Sequence, residues 1–238
     1  MGLSAVIVGS AWYSMEYLYK KPIESQESKL DNKEVADTKP KPKGTVKAEL
    51  LVYPFEEGVK EADLIAEVQI TKKIEEINEP SPKTLFEATA IENYKSPNNK
   101  KTIQILQQGN SEWTYEDNPL FQENDKYILF LKKYIGDEYD SKDTYWILGA
   151  QTNTYSILSD NEVMKNAYYD EELSSIEKTG EIENSEEIIE SKMKNLTNIS
   201  IDESAKLNEN DLKEADIQVF NKDTFVNKIN NTINLTEK

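Results

Sequence analysis

Between Ala62 and Leu158 apolar and polar residues alternate with a period of two, in short runs broken by turn residues, and that pattern admits little except strands. Ala62, Leu64, Ala66, Val68 and Ile70 share one side of a first strand, with Asp63, Glu67, Gln69 and Thr71 mostly opposite. Phe86, Ala88 and Ala90 alternate with Glu87 and Thr89 in a second, and Ile103 and Ile105 flank Gln104 in a third that stops at Gly109-Asn110. Lys126–Leu131 (KYILFL) is almost continuously apolar and reads as a central strand buried on both sides. Tyr145–Leu148, a turn at Gly149 and Thr154–Leu158 read as a hairpin-like pair. Glu79-Pro80-Ser81-Pro82 and Ser96-Pro97-Asn98-Asn99 mark intervening turns. Five or six such strands predict an all-β fold, a small barrel or sandwich over residues 48–198.

The flanking segments differ in kind. Residues 1–20 are apolar and nearly uncharged, with Trp12, Tyr13, Tyr17 and Tyr19 leading to Lys20-Lys21. That pattern predicts a hydrophobic signal or anchor helix, about 14 uncharged residues being short for a span and suited to a signal core. Residues 21–47 hold few large apolar side chains and a KPKPK run, which predicts an extended, disordered linker. Ser185, with Glu186, Glu187, Ile188, Ile189, Met193 and Leu196, predicts a helix that closes the barrel. Residues 199–238 read as a partly ordered acidic, Asn-rich tail, in which Leu212, Ala215, Val219 and Phe220, then Phe225, Val226 and Ile229, suggest weak helices.

Composition narrows the chemistry. The net charge is −17, all 28 cations are lysine, and the chain has no arginine, histidine or cysteine. Disulfides, thiolate nucleophiles, cysteine-bound zinc and the Ser-His-Asp arrangement are therefore excluded. So acidic a chain is repelled by nucleic acid and by anionic lipid. No cofactor is expected, and a membrane contact is expected only through residues 1–20.

The runs EADLIAEVQITKK (61–73), TLFEATAIENYK (84–95), KTIQILQQGN (101–110), NPLFQENDKYILFLKK (118–133) and YWILGAQTNTYSIL (145–158) resemble a poorly characterised family of exported Gram-positive bacterial proteins. SEEIIESKMKNL (185–196) is similar to the helix that ends the same domain, so the likeness spans residues 56–196. The resemblance implies an OB-fold-like barrel with a distant likeness to the netrin-like modules of tissue inhibitors of metalloproteinases. The zinc-chelating mechanism of those inhibitors uses an N-terminal cysteine and does not carry over. Where the family places a glycine before its fourth strand, this chain has Asn124-Asp125, residues that tolerate positive φ.

Three constellations are candidate sites. Asp137, Glu138, Asp140 and Asp143 set four carboxylates in seven residues, weak calcium candidates whose spacing departs from the calcium-loop pattern; a solvated hairpin turn is the commoner reading. An aromatic set of Trp113, Tyr115, Phe121, Tyr139, Tyr145, Trp146 and Tyr155 offers stacking surfaces. Trp113 and Tyr115, in a polar loop, are the binding candidates on the surface, and Trp146 is expected in the core. Carboxylates Glu67, Glu87, Glu112 and Glu116 are available for glycosidase chemistry, which needs a separation in space that sequence does not set. The expected function is a non-enzymatic, extracytoplasmic binding module of a bacterial envelope, its partner a protein or cell-envelope polymer. The alternatives are a small carboxylate-based hydrolase and a purely structural envelope protein.

Overall fold

The computed structural model describes residues 51–96, 101–113, 118–136, 139, 143–165, 167–178 and 217–236. All belong to one compact unit, Leu50–Lys238. Residues 1–20, the linker 21–47 and the helix expected at 185–196 lie outside them.

Five strands close on themselves. Leu64–Ile77 (β1) pairs antiparallel with Lys83–Lys95 (β2), and β2 pairs with Thr102–Gln108 (β3). Thr144–Ile147 (β5) runs parallel to β3 and antiparallel to Lys126–Lys133 (β4), which returns to β1. The ring β1-β2-β3-β5-β4-β1 is an OB-fold-like barrel. Its interior is filled by alternate residues: Leu64, Ala66, Val68 and Ile70 from β1, Phe86 and Ala88 from β2, Ile103 and Ile105 from β3, with Tyr127, Leu129, Leu131, Tyr145, Ile147 and Phe121. Each large side chain so buried contributes roughly 1.5–3 kcal/mol. Before β4 the backbone turns at Asn124, whose φ is 74°, the positive value that asparagine tolerates in glycine's place.

A second core lies against the outside of this barrel. Ile128 and Phe130 alternate with the inward residues of β4, so β4 is buried on both faces, as its unbroken apolar run predicts. Over them pack Phe55 and Val59 of the helix Phe55–Glu61 (α1), and Phe225, Ile229 and Ile233 of the helix Lys222–Thr236 (α2). Strands Thr154–Ser159 (β6), Glu162–Lys165 (β7) and Gln218–Asn221 (β8) extend the sheet beneath the helices. The last carbonyls of α1 accept from lysines: Lys95 Nζ reaches Val59 O and Lys60 O at 2.8 Å, and Lys132 Nζ reaches Glu61 O at 2.7 Å.

Two expectations change here. The run 145–158 is no hairpin: β5 and β6 lie end to end along the same edge of β4, β5 opposite Leu131–Lys133 and β6 opposite Tyr127–Leu129. A detour at Gly149–Asn153 parts them, entered at Gly149 with φ 67° and Ala150 with φ 50°. β4 is thus a fork, with β5 completing the barrel and β6 starting the outer layer. Val219 and Phe220, read from sequence as helical, stand in β8, paired with Met164 and Val163. Helix α2 begins directly afterwards, where Asn221 Oδ1 accepts from Thr224 N at 3.1 Å.

Candidate binding face

Trp146 is the first site residue whose position departs from expectation. Tyr145 and Ile147 on either side point into the barrel, so Trp146 stands on the outer face, half-buried, opposite Leu106 of β3 and Lys132 of β4. Its neighbours make a row. The Tyr134 ring lies 6.3 Å from Trp146 with the planes inclined at 49°, and Tyr139 lies 5.2 Å from Tyr134 at 67°. At the other end Lys83 Nζ sits 5.8 Å from the Trp146 ring centre, a cation on a ring face. Leu106, opposite Trp146, and its cross-strand partner Leu85 are both buried.

Local chemistry holds the row in place. Tyr134 N donates to Thr144 O at 2.9 Å, joining the end of β4 to the start of β5. Gly136 brings the backbone against the Tyr134 ring, where an added Cβ would collide with it. Thr144 Oγ1 donates to Gln104 Oε1 at 3.0 Å, and Gln104 N to Asp143 O at 2.8 Å. Ile135, next to Tyr134, is 95 % exposed, the most exposed large apolar side chain among the described residues. The row crosses the barrel wall from the β4–β5 connection toward the start of β2. The β4–β5 connection is one of the loops with which OB barrels bind their ligands, whereas the strand residue of the row, Trp146, stands on β5 and not on the β2–β3 face.

The remaining candidates scatter. Trp113 is half-buried in the β3–β4 loop, a turn built on Asn110, whose Oδ1 accepts from Glu112 N and Trp113 N at 3.0 and 2.8 Å. Asn110 also bonds to Asn78 at 2.7 Å, and Ser111 to Glu76, tying this loop to the β1–β2 turn. Hydrogen bonds from Lys73 and Ser111 hold the Glu76 carboxyl down at about 2. Tyr115 lies outside the described residues, as do Asp137, Glu138 and Asp140 of the calcium candidates. Asp143 is described at the start of β5. Among the described residues no group of three or more Asp or Glu is placed to hold a metal ion. Phe121 and Tyr145 fill the barrel and Tyr155 the outer core, which leaves Trp113, Tyr139 and Trp146 as the described members of the aromatic set that are half-buried at the surface.

Two of the four candidate carboxylates are engaged structurally. Glu67, 5 % exposed, pairs with Lys222 Nζ at 2.7 Å and accepts from Tyr94 Oη at 3.3 Å, linking β1 to α2. Glu87 meets Lys72 at 3.5 Å and Thr71 at 3.3 Å. Glu112 is exposed and Glu116 lies outside the described residues.

A polar nucleus under the helices concerns architecture. Asp170 Oδ2 accepts from Phe55 N at 2.8 Å and Oδ1 from Glu172 N at 3.0 Å, capping a short 3-10 turn while fastening α1. Gln218 exchanges bonds with the Asp170 backbone at 2.8 and 3.1 Å. Lys165 donates to Thr152 O with its ammonium 5.5 Å from the Tyr155 ring centre, and burial pulls it down to about 8 against the opposing pull of Asp170. Burial raises the Tyr155 phenol well above its ordinary value, helped by Asp170 and Glu172.

Tyr134, Ile135 and Lys83 were missed in the sequence. The signal available was YIG at 134–136, an apolar pair ending a lysine-terminated strand where a polar turn is usual. No protein-family model matches the chain, and no curated protein matches it.

Proposed function

We propose that this protein is a non-enzymatic binding module displayed outside a bacterial cell, its barrel of the netrin-like kind carried by the exported Gram-positive family that its strands resemble. The observation that carries the reading is the row Tyr139–Tyr134–Trp146–Lys83 with Ile135 beside it, on the outside of a barrel whose interior is packed with side chains. Tyrosine and tryptophan give large rigid contact areas at small entropic cost, and they dominate recognition surfaces. A partner engaged there is a protein or a cell-envelope polymer, because the charge of −17 repels nucleic acid.

The test is affinity capture from intact bacterial envelopes with the full-length chain, beside Trp146→Ala and Tyr134→Ala variants whose fold is checked by circular dichroism. One captured partner, lost in both variants, is the expected result. Capture indifferent to both variants removes the row from the account, and a reporter fusion showing residues 48–238 in the cytoplasm removes the location.

A further inference from the structure

We infer that the free edge of β1 past Ile70 pairs antiparallel with the same edge of a second copy of this chain. The inference goes beyond the binding-module reading and makes no use of the aromatic row.

The edge exists because β1 outruns β4. β4 covers β1 from Leu64 to Gln69, and Ile70 closes that side, its N donating to Asp125 O at 2.9 Å and its O accepting from Asn124 N at 2.8 Å. β1 nevertheless continues to Ile77, held on its other side by β2. Among the described residues no strand pairs with the outer side of Thr71–Ile77, and the residues from Thr71 to Glu75 are exposed, Ile74 included. A bare strand edge presents unpaired N–H and C=O groups, which are a template for another strand.

The order of charges along this edge selects the occupant. Lys72-Lys73-Ile74-Glu75-Glu76 sets two cations and two anions symmetrically about one apolar residue. Laid antiparallel on its own copy about Ile74, the run brings Lys73 opposite the partner's Glu75 and Lys72 opposite the partner's Glu76. Each pair occurs twice, and Ile74 meets the partner's Ile74 on the two-fold axis. Opposite charges directly across two strands attract, whereas a run of one sign would repel its own copy, which is how charge guards an edge. A strand of another sequence meets this order of charges only by carrying the same run, and a second copy always carries it.

Within one chain, Lys72 lies 3.5 Å from Glu87, and Glu76 is held by Lys73 at 2.6 Å and by Ser111. Glu75 has no ion pair among the described residues, so its carboxylate is the one that association supplies with a partner. Thr71 and Ile74 are bulged, neither standing opposite a β2 residue. Bulges twist an edge, and a run this short falls below the about 20–30 residues a side of a standard interface, so the dimer is a weak one.

The experiment is analytical ultracentrifugation of the full-length chain in about 150 mM salt, from about 10 to 500 µM protein, the range in which a weak interface fills. The expected result is a monomer–dimer equilibrium. Lys73→Glu and Glu75→Lys each weaken it about tenfold with the circular dichroism spectrum unchanged, because either change sets like charges opposite each other at two crossings. Ile74→Lys acts in the same direction by placing two ammoniums on the axis. An equimolar mixture of the Lys73→Glu and Glu75→Lys chains associates as the parent does, each supplying the charge the other has lost. A parent that stays monomeric throughout, variants that associate like the parent, or a mixture no tighter than its components overturns the inference. Capture of an envelope partner through the aromatic row is unaffected by any of these outcomes.

Discussion

Lys165 holds its ammonium in a site 2 % exposed, with one carbonyl partner and an aromatic ring nearby. Its folded value of about 8 lies below the ordinary 10.5, so between those values the unfolded chain binds more protons and stability rises with pH. The gain approaches about 3 kcal/mol at pH 10.5 and is absent below pH 8, where the buried charge costs its full amount. The phenols of buried Tyr127 and Tyr155 and of partly buried Tyr94, all raised, work the other way above pH 10. Urea midpoints between pH 7.5 and 9.5 therefore isolate the lysine: the parent should gain on Lys165→Met across that window, and parallel curves would refute the assignment. Gly149 makes a second single-residue case. With φ at 67°, and with an added Cβ facing Thr152 Oγ1 and, at 3.1 Å, Leu51 O, Gly149→Ala should cost about 2 kcal/mol in denaturant titration. No such signal marks Gly149 in the sequence, where any glycine between two strands reads as a turn.

At the scale of elements, period-two alternation was legible because one face of each barrel strand is wholly interior. Leu64, Ala66, Val68 and Ile70 point inward as their spacing predicts, and β4 has the unbroken apolar run of a strand covered on both sides. Alternation does not say which of two apolar sets points inward. In YWIL the apolar residues are continuous, so pairing with β3 and β4 decides that Tyr145 and Ile147 enter the barrel while Trp146 faces out. The same ambiguity misplaced Val219 and Phe220, whose short apolar run is strand by virtue of its partner β7. Helix α2 shows what such a late element contributes. Phe225 stacks 5.3 Å from Phe220 and meets Tyr155 at 4.6 Å and Phe55 at 5.8 Å. Phe225→Ala should cost about 3–5 kcal/mol in chemical denaturation, while Val226→Ala, at a partly buried position, should cost far less.

For the whole molecule, the β4 fork joins two cores that share one strand, so the barrel and the outer layer stand or fall together. A chain ended after Asn198, where the apolar pattern thins, loses β8 and α2 and uncovers Phe55, Phe130 and Tyr155. Such a chain should bind a hydrophobic dye and lose near-ultraviolet dichroism while keeping far-ultraviolet signal; a cooperative transition like the parent's would contradict the shared core. The candidate site follows the same logic. Trp113, Tyr139 and Trp146 were all visible as aromatics, but a row exists only because the barrel's closure brings the end of β4, the middle of β5 and the start of β2 together. What the residues determined unaided was the barrel strands, their inner faces at β1 to β4 and the exclusion of cysteine and histidine chemistry, since these follow from local spacing and residue type. Tertiary structure alone decided the outward face of Trp146, the split of β5 from β6 and the recruitment of Gln218–Thr236, because each depends on which distant strand supplies the hydrogen bonds.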